Sequence, residues 1–466
     1  MLGQFNLILP EIALTVVTLF AQVVAVFYRS SLRFITLALI VALIGIITGL
    51  LYFVPQTEIG FSSSFEVSST IHLFKALILG LTIMSIVLYK ELRKISNKPI
   101  KMEFVTLMLL STLGVFISIS ARDFILLFCG LELQALAGYA MAAFNVNEVK
   151  SSEAGLKYFV LGALISCLML LGLSFLYGFS GSMYFADIKT VLNETFHMGL
   201  VIGAILVLAA ILFKLSAAPL HIWTPDVYEG APIAAVTYFS VAQKIGVLVV
   251  LVNFITLVVG DYVRISVDLI KIAAVLSILI GSLGAIMQFS LKRLMAYSTI
   301  LNVGYVLIAI SLHSDNGLYA ALLYMFIYVI GTIGFFACLI ALFGPKADTA
   351  SFADLRGIAE QKKAIGLAIS IIMFSMIGLP PLAGFFGKYY IFYNAILQGE
   401  IFLALLGVLT SVVAAFYYLK VIKYMYFMER TEELTNIKTN RGLLMISVFS
   451  IGFTLFFFIF ASSYLI

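Results

Sequence analysis

Five long apolar segments of this 466-residue sequence each contain a single charged side chain well inside them. These side chains are Glu132, Lys157, Lys214, Lys244 and Lys388. A charge at membrane depth costs about 3 kcal/mol on insertion scales, so it is rarely retained without a use. In a low dielectric an isolated carboxylate takes up a proton and an isolated lysine releases one, whereas a Glu132–Lys214 pair would hold both groups charged. Disturbing such a pair moves a proton, so the pattern favours ion transfer.

Two of these lysines lie beside proline residues. Lys214 precedes Pro219 and Pro225, and Lys388 follows the prolines at 380 and 381. Because proline lacks a backbone donor and clashes with the preceding turn, both helices should be broken. Unwound backbone at membrane depth is tolerated where protein or a water-filled cavity receives its polar groups, and transporters place ion sites there. The sequence therefore predicts an ion path beside each break.

Most of these residues have a structural alternative. Glu132 could instead fix helix packing through hydrogen bonds, and Lys214 or Lys388 could cap the carbonyls at the end of a half-helix. Lys157 lies close to a loop, where a snorkelling lysine is the competing interpretation. His221 follows Lys214 by seven positions (221 minus 214) and could either pass a proton at neutral pH or pack the break.

Other polar residues are less specific. Asp226 and Glu229 are as consistent with solvated loop carboxylates as with a proton entrance. Lys75 and His72, near the start of the third predicted span, are interpreted as interfacial.

A second group of polar residues is uncharged. Tyr297, Asn302 and Tyr305 could hydrogen-bond waters in a second half-channel.

The composition explains why charges inside helices matter here. The chain is 63% hydrophobic and 11% charged, with a mean hydropathy of +1.14, whereas soluble proteins carry about 25% charged residues. Apolar runs of spanning length follow one another from Asn6 onward, and nothing resembles a cleaved signal peptide. The sequence predicts an all-α polytopic membrane protein with about fourteen transmembrane helices and no separate soluble domain.

The order of the spans predicts an internal repeat. The two proline-containing spans are the seventh and twelfth, five apart (12 minus 7), so corresponding helices cross in opposite directions. Spans four to eight and nine to thirteen could then be inverted five-helix repeats. The predicted organisation is an N-terminal three-helix segment at 1–102, a first repeat at 103–259, a second repeat at 260–430 and a C-terminal helix at 431–466.

Alternate loops carry the basic residues. The basic loops contain Arg29 and Arg33, the 90–101 segment, Lys292 and Arg293, the 346–363 segment, and the 420–441 segment with Arg430 and Lys438. By the positive-inside rule these loops are cytoplasmic, and an even number of spans places both termini on the periplasmic side of a bacterial inner membrane.

Several classes of site are not indicated. Cys129, Cys167 and Cys338 lie in apolar runs without CxxC or Cys/His spacing, which argues against structural zinc, iron–sulfur clusters and a disulfide framework. The sequence contains no Walker loop, no GxGxxG after a strand and no basic, aromatic-interleaved stripe that would suggest nucleic acid.

Three motifs carry a resemblance to a known family. FKLSAAPLHIWTPDVYEGAP at 213–232, LKRLMAYS at 291–298 and GLPPLAGFFGK at 378–388, with the helix of Glu132, closely resemble the antiporter-like membrane subunits of respiratory complex I, the proton-pumping NADH:quinone oxidoreductase. The resemblance extends from about span four to span thirteen. WTPDVY and Lys388 distinguish the chain from subunit M, which typically has a glutamate at the Lys388 position. Subunit L is longer than this chain.

The resemblance implies a fold and roles. It implies two inverted five-helix repeats with discontinuous seventh and twelfth helices. Glu132 would pair with Lys214, Lys244 would be the central relay, Lys388 would serve the second half-channel, and Lys157 and His221 would support them. The family often has a histidine where Asn302 stands, so proton transfer near Asn302 would need water.

The resemblance also implies partners and alternatives. NADH, FMN, iron–sulfur clusters and quinone would bind other subunits, and this chain would hold no cofactor. Its partners would be the membrane-arm subunits, including subunit M and the small K-type subunit, and the lipid bilayer. The alternatives are a subunit of a multisubunit Na+/H+ antiporter and a structural membrane subunit that pumps nothing.

Overall fold

The computed structural model describes residues 5–28, 32–53, 57–194, 197–259, 263–429 and 440–464, with backbone only at 263–264 and 460–464. Arg29, Arg430, Lys438, both chain ends and the predicted domain boundaries at 260, 430 and 431 lie outside these residues. The orientation of the chain in the membrane stays a prediction.

Helices account for nearly all of the described chain, because backbone N–H and C=O groups in lipid must be satisfied within the segment. The first half contains α1 (Leu9–Phe27), α2 (Leu32–Tyr52), α3 (Ser69–Ile95), α4 (Met102–Ser120), α5 (Phe124–Ala142), α6 (Val149–Ser180), α7 (Phe185–Glu194), α8 (Met198–Leu215), α9 (Trp223–Gly230), α10 (Ile233–Ser240) and α11 (Ala242–Phe254). The second half contains α12 (Val263–Ile286), α13 (Leu291–Ser311), α14 (Asp315–Phe343), α15 (Ile358–Gln361), α16 (Lys363–Ile377), α17 (Ala383–Leu397), α18 (Ile401–Phe427) and α19 (Arg441–Tyr464).

Short elements complete the path. Turns of 3-10 helix occupy Asn6–Ile8, Gly344–Asp348 and Ala353–Leu355, and a π-helical turn at Ile255–Val259 continues α11. Strands β1 (Glu58–Gly60) and β2 (Phe65–Val67) form an antiparallel hairpin in which Glu58 pairs with Val67.

The predicted spans agree closely with the helices. Among the described residues, 13 helices are long and apolar enough to cross a membrane. The remaining predicted span, at 363–396, is divided into the shorter helices α16 and α17. The prediction of an all-α multi-pass membrane protein is confirmed, whereas the inverted repeats and the domain boundaries stay predictions.

The chain divides into two units. The first comprises Met1–Ile86, Lys98–Leu215 and Ala242–Ser266. Within it α4 packs on α5, α6 packs on α8, and α11 contacts both α4 and α8. These contacts assemble the helices that carry Glu132, Lys214 and Lys244.

Two glycine contacts set the spacing of these helices. A Cβ on Gly114 of α4 would lie 2.6 Å from the Gly130 carbonyl oxygen of α5, and one on Gly172 of α6 would lie 2.8 Å from the Gly203 oxygen of α8. Small residues let membrane helices approach to backbone contact. The two contacts hold α4 against α5, which carries Glu132, and α6 against α8, which carries Lys214.

The second unit comprises Val87–Asn97, Ser216–Val241 and Val267–Ile466. Its centre is formed by α13 and α14, whose most apolar windows are both 94% buried. Around them α17 contacts both helices, α9 packs on α13, and α16 and α19 pack on α14. The second unit therefore packs one face of the Lys388 helix, including Lys388 itself, against α13 and α14.

Candidate functional site

The seventh span is broken at the predicted position. Helix α8 ends at Leu215, Ser216 has a φ of 69°, and α9 begins at Trp223 after the Ala218–Pro219 bond, which is cis. Within the second unit, the Ala218 N–H donates to Ser277 Oγ at 2.8 Å. A polar group freed by the break is thus received by protein, as backbone at membrane depth requires.

Glu132 and Lys214 form the predicted ion pair. Lys214 Nζ lies 3.4 Å from Glu132 Oε1 and donates to the Leu131 carbonyl at 3.2 Å. Ser166 Oγ donates to the same Glu132 oxygen at 2.6 Å. The side chains are 9% and 21% exposed, so the charges are held by each other and by neighbouring dipoles rather than by bulk water.

Lys244 contacts the end of the same half-helix. Its ammonium donates to the carbonyls of Lys214, at 3.3 Å, and Leu215, at 2.9 Å. These carbonyls form the negative end of the α8 dipole, which favours a cation. The chain turns at Val241, between α10 and α11, three residues before Lys244 (244 minus 241). In this first unit the capping lysine is therefore Lys244, and Lys214 is the partner of the acid.

The twelfth span has a matching arrangement in the second unit. Helix α16 ends at Gly378, whose φ is 94°, and α17 begins at Ala383. Lys388 Nζ donates to the Met376 carbonyl at 3.0 Å and the Ile377 carbonyl at 3.1 Å. The ammonium also lies 5.1 Å from the centre of the Tyr305 ring, a cation–π distance. Both the break and the lysine beside it are where the sequence predicts them.

Asn302 lies in a buried hydrogen-bond network, and the predicted half-channel beside it stays a prediction. The Tyr324 hydroxyl donates to Asn302 Oδ1, and Asn302 Nδ2 donates to the Ser298 carbonyl at 2.7 Å. Ser298 Oγ and the Tyr418 hydroxyl are 2.6 Å apart. The Asn302 amide, beside which proton transfer was predicted to need water, thus contacts protein hydroxyls directly.

Tyr305 links this region to Lys388. Its ring faces the Lys388 ammonium, and its hydroxyl accepts from Ser411 Oγ at 2.9 Å. The rings of Tyr305 and Tyr324 lie edge to face at 6.1 Å between centres. A series of hydroxyl and amide groups therefore runs beside Lys388 within the second unit.

Lys157 and His221 each make a contact with a residue close by in the sequence. Lys157 pairs with Glu153 at 2.7 Å on the same helix, and its side chain is 42% exposed. His221 is half-buried, and its carbonyl accepts from the Thr224 N–H at 2.9 Å at the start of α9. The supporting roles of both residues stay predictions.

Asp226 and Glu229 are held by a cation of the second unit. Arg293 Nη1 lies 3.1 Å from Asp226 Oδ1 and 2.8 Å from Glu229 Oε2. All three side chains are about one-third exposed, at 32%, 34% and 29%. They form a partly solvated ion-pair network that joins α9 to α13.

The sequence analysis missed one buried ion pair. Lys75 is fully buried, not interfacial, and its Nζ lies 2.6 Å from Glu11 Oε1. The ammonium also lies 5.1 Å from the centre of the Phe65 ring and 5.9 Å from that of Phe116. The acid in the first helix was the signal that could have found this pair, because a carboxylate in an apolar run needs a partner.

We expect Lys75→Met to reduce the amount of folded protein strongly. Removing one partner of a buried pair leaves the other charge uncompensated, at a cost of about 3–5 kcal/mol. The measurement is the amount of assembled protein in membranes on a native gel.

Lys157→Met is the matched control for this variant. Exposed pairs contribute only about 0–1 kcal/mol, so its level should stay close to wild type. Equal levels of the two variants would show that Glu11 and Lys75 do not depend on each other.

The clusters consist of buried lysines, a carboxylate and the backbone carbonyls that they contact. Among the residues that the structure describes, no group of three or more His, Cys, Asp or Glu side chains could hold a metal ion. Each unit places a buried lysine on the carbonyl end of a half-helix, and in the first unit the Glu132 carboxylate pairs with Lys214. Such groups can exchange protons over short distances.

Comparison with known proteins identifies relatives over almost the whole length. A family model described as NADH:quinone oxidoreductase/Mrp antiporter, TM, matches residues 121–414. NADH-quinone oxidoreductase subunit N of Rickettsia conorii (strain ATCC VR-613 / Malish 7) is 53% identical over 451 residues, covering 96% of this chain and 98% of the relative. Subunit N of Pelagibacter ubique (strain HTCC1062) is 37% identical over 470 residues, covering 100% and 98%.

Solved structures give the same fold. A chain of respiratory complex I from Thermus thermophilus with bound aureothin has a TM-score of 0.80 at 26% identity, covering 96% of this chain and 97% of that one. A chain of the membrane-bound sulfane sulfur reductase, an archaeal respiratory membrane complex, has a TM-score of 0.84 at 22% identity, covering 98% and 94%. The second likeness concerns the fold alone.

Proposed function

This chain belongs to the NADH-quinone oxidoreductase subunit N family, and we propose that it translocates protons across the membrane as a subunit of respiratory complex I. Redox chemistry takes place in other subunits, which bind NADH, FMN, iron–sulfur clusters and quinone, and this chain holds none of them. The energy reaches this subunit through its neighbours. Moving one charge against 100 mV requires about 2.3 kcal/mol, a scale that altering one ion pair in low dielectric can supply.

The Glu132–Lys214–Lys244 row is the observation that carries the proposal. Lys214 is paired with Glu132, and Lys244 contacts the carbonyl of Lys214 itself. A charge arriving near Glu132 would weaken the pair and leave Lys214 free to pass its proton on. Lys244 is the next group in the row because it lies against the same half-helix end, and it can accept this proton once its own ammonium has passed one onward.

The second unit has a buried lysine of its own. Lys388 holds the carbonyl end of α16, with the Tyr305 ring against its ammonium. The same unit contains a hydrogen-bonded network, which is formed by the Tyr324 and Tyr418 hydroxyls and the Asn302 amide. Hydroxyl groups both donate and accept, so this network can pass a proton where asparagine itself cannot titrate.

The remaining features of the proposal rest on the family and the sequence pattern. Spans four to eight and nine to thirteen are inverted repeats, and Lys157 and His221 assist the row. The neighbours are the other membrane-arm subunits, including subunit M and the K-type subunit. The chain lies in a bacterial inner membrane with both termini on the periplasmic side, following the basic loops.

The ion that moves decides between the proposal and the antiporter alternative. Vesicles that contain the assembled complex should take up protons on addition of NADH in sodium-free medium, at the rate seen with sodium present. Uptake that requires sodium would favour a Na+/H+ antiporter subunit. The vesicles are compared with a matched preparation that lacks this chain, which separates its contribution from that of the other subunits.

We expect Tyr324→Phe to lower proton uptake several-fold while the complex still assembles. The change removes the donor to Asn302 Oδ1 and leaves a buried oxygen unsatisfied, which costs about 1–3 kcal/mol. Proton uptake and quinone reduction are measured on the same vesicles.

Tyr319→Phe is the control for Tyr324→Phe. Tyr319 lies on the same helix α14, is 42% exposed, and keeps its edge-to-face ring contact with Tyr390 when the hydroxyl is removed. Its uptake should remain close to wild type. Unaltered uptake in Tyr324→Phe would exclude the Asn302 network from the path.

A further inference from the structure

A cavity of about 870 Å³ lies within the first unit, between α1, α2 and the β1–β2 hairpin. Most of its lining is apolar, including Ala42 and the glycines at 45 and 49. A Cβ at either glycine would meet no atom within 4 Å. The volume is in the range of ligand pockets, about 300–1,000 Å³, so a bulky apolar chain has room beside α2.

One polar group in this cavity has an unsatisfied nitrogen. His72 is only 8% exposed, and its Nδ1 lies 3.1 Å from the Phe53 carbonyl. Because a carbonyl can only accept, Nδ1 carries the hydrogen, and Nε2 of the neutral ring is an acceptor. That Nε2 is buried and has no hydrogen-bond partner among the residues the structure describes. A buried acceptor of this kind calls for a donor that the described residues do not supply.

A carboxylate lies at the same end of the cavity. Glu58 lines it and pairs across the hairpin with Val67, which leads directly into the first turn of α3 where His72 lies. The polar end thus offers two acceptors, one of them the exposed Glu58 carboxylate, and the Lys75 ammonium near His72 is already paired with Glu11. The rest of the cavity offers an apolar surface. A group that donates hydrogen bonds and carries positive charge complements the polar end, whereas a headgroup with only phosphate does not.

We propose that this cavity binds an aminophospholipid, with its ammonium group at the Glu58 and His72 end and an acyl chain along α2. The occupant follows from charge complementarity and from the free imidazole acceptor. A phosphatidylethanolamine has both parts, an ammonium donor and acyl chains. The site is separate from the Glu132–Lys214–Lys244 row and does not depend on proton transfer.

Filling the cavity tests the proposal on the whole complex. Gly49→Phe places a ring in open space where the acyl chain would lie. Complex purified in mild detergent is extracted, and its phosphatidylethanolamine is quantified per complex. Gly178→Phe on α6 is the matched control, since a Cβ there also meets no atom within 4 Å and Gly178 does not line the cavity. The Gly49 variant should contain about one phosphatidylethanolamine fewer than wild type, and the control should contain the wild-type number.

A second measurement needs no cavity-filling variant. Delipidated wild-type complex should gain thermal stability when phosphatidylethanolamine is added and gain less with phosphatidylglycerol, and His72→Phe should remove that difference. Equal stabilisation by the two lipids, or an unchanged lipid count in an assembled Gly49→Phe complex, overturns the proposal.

Discussion

We expect Lys214→Met to abolish NADH-driven proton uptake while the complex still assembles. Methionine keeps the apolar stem and volume of the lysine but removes the ammonium that lies 3.4 Å from Glu132. The row then lacks the group that accepts and releases the proton. Coupled quinone reduction should fall with pumping, because the redox energy has no proton movement to drive. Uptake, quinone reduction and assembly are measured on the same membranes.

A second lysine of the first unit controls for the loss of a positive charge. Lys189 donates to the Thr256 carbonyl at 3.0 Å, away from the acid, and Lys189→Met should pump normally. A double variant, Glu132→Gln with Lys214→Met, removes both charges and should assemble at least as well as Lys214→Met. Pumping by assembled Lys214→Met at the wild-type rate would leave the structural interpretation of that lysine standing.

We expect Lys388→Met to abolish proton uptake as well and to lower thermal stability. The Met376 and Ile377 carbonyls would lose their donor, and an unsatisfied buried acceptor costs about 1–3 kcal/mol. The complex should therefore melt at a lower temperature in detergent, which a thermal scan of the purified complex measures.

Lys271→Met is the matched control for this second lysine. Lys271 pairs with Glu400 at 2.5 Å in the same unit, and the two side chains are about one-third exposed, at 29% and 32%. Partly exposed pairs contribute little to stability, so this variant should keep both pumping and melting temperature. Pumping in Lys388→Met that equals that of Lys271→Met would remove Lys388 from the path.

The sequence predicted the positions of the two breaks and of the lysines beside them for a physical reason. Proline and a lone charge in an apolar run are both costly at membrane depth, and each is visible without knowledge of contacts. The Glu132–Lys214 pair was predicted because a buried acid requires a cation and the family supplies one. Hydropathy alone also located nearly every helix.

Contacts between distant segments were not predictable in the same way. Lys244, rather than Lys214, donates to the carbonyls at the end of the first half-helix because α11 packs on α8. Lys75 appeared interfacial because its partner Glu11 is 64 positions away (75 minus 11). The Tyr324 and Tyr418 contacts to Asn302 depend on helices that are far apart in sequence. Each of these contacts depends on how helices pack, which a short stretch of sequence does not reveal.

The most direct test of proton transfer through Lys214 is the number of protons taken up per NADH oxidised in vesicles carrying Lys214→Arg. Arginine keeps a cation beside Glu132, so a merely structural ion pair would survive, but arginine does not release its proton. We predict an assembled complex whose proton uptake through this subunit is lost. An Lys214→Arg complex that pumps as many protons per NADH as wild type would contradict the account, because Lys214 could then not be a proton carrier.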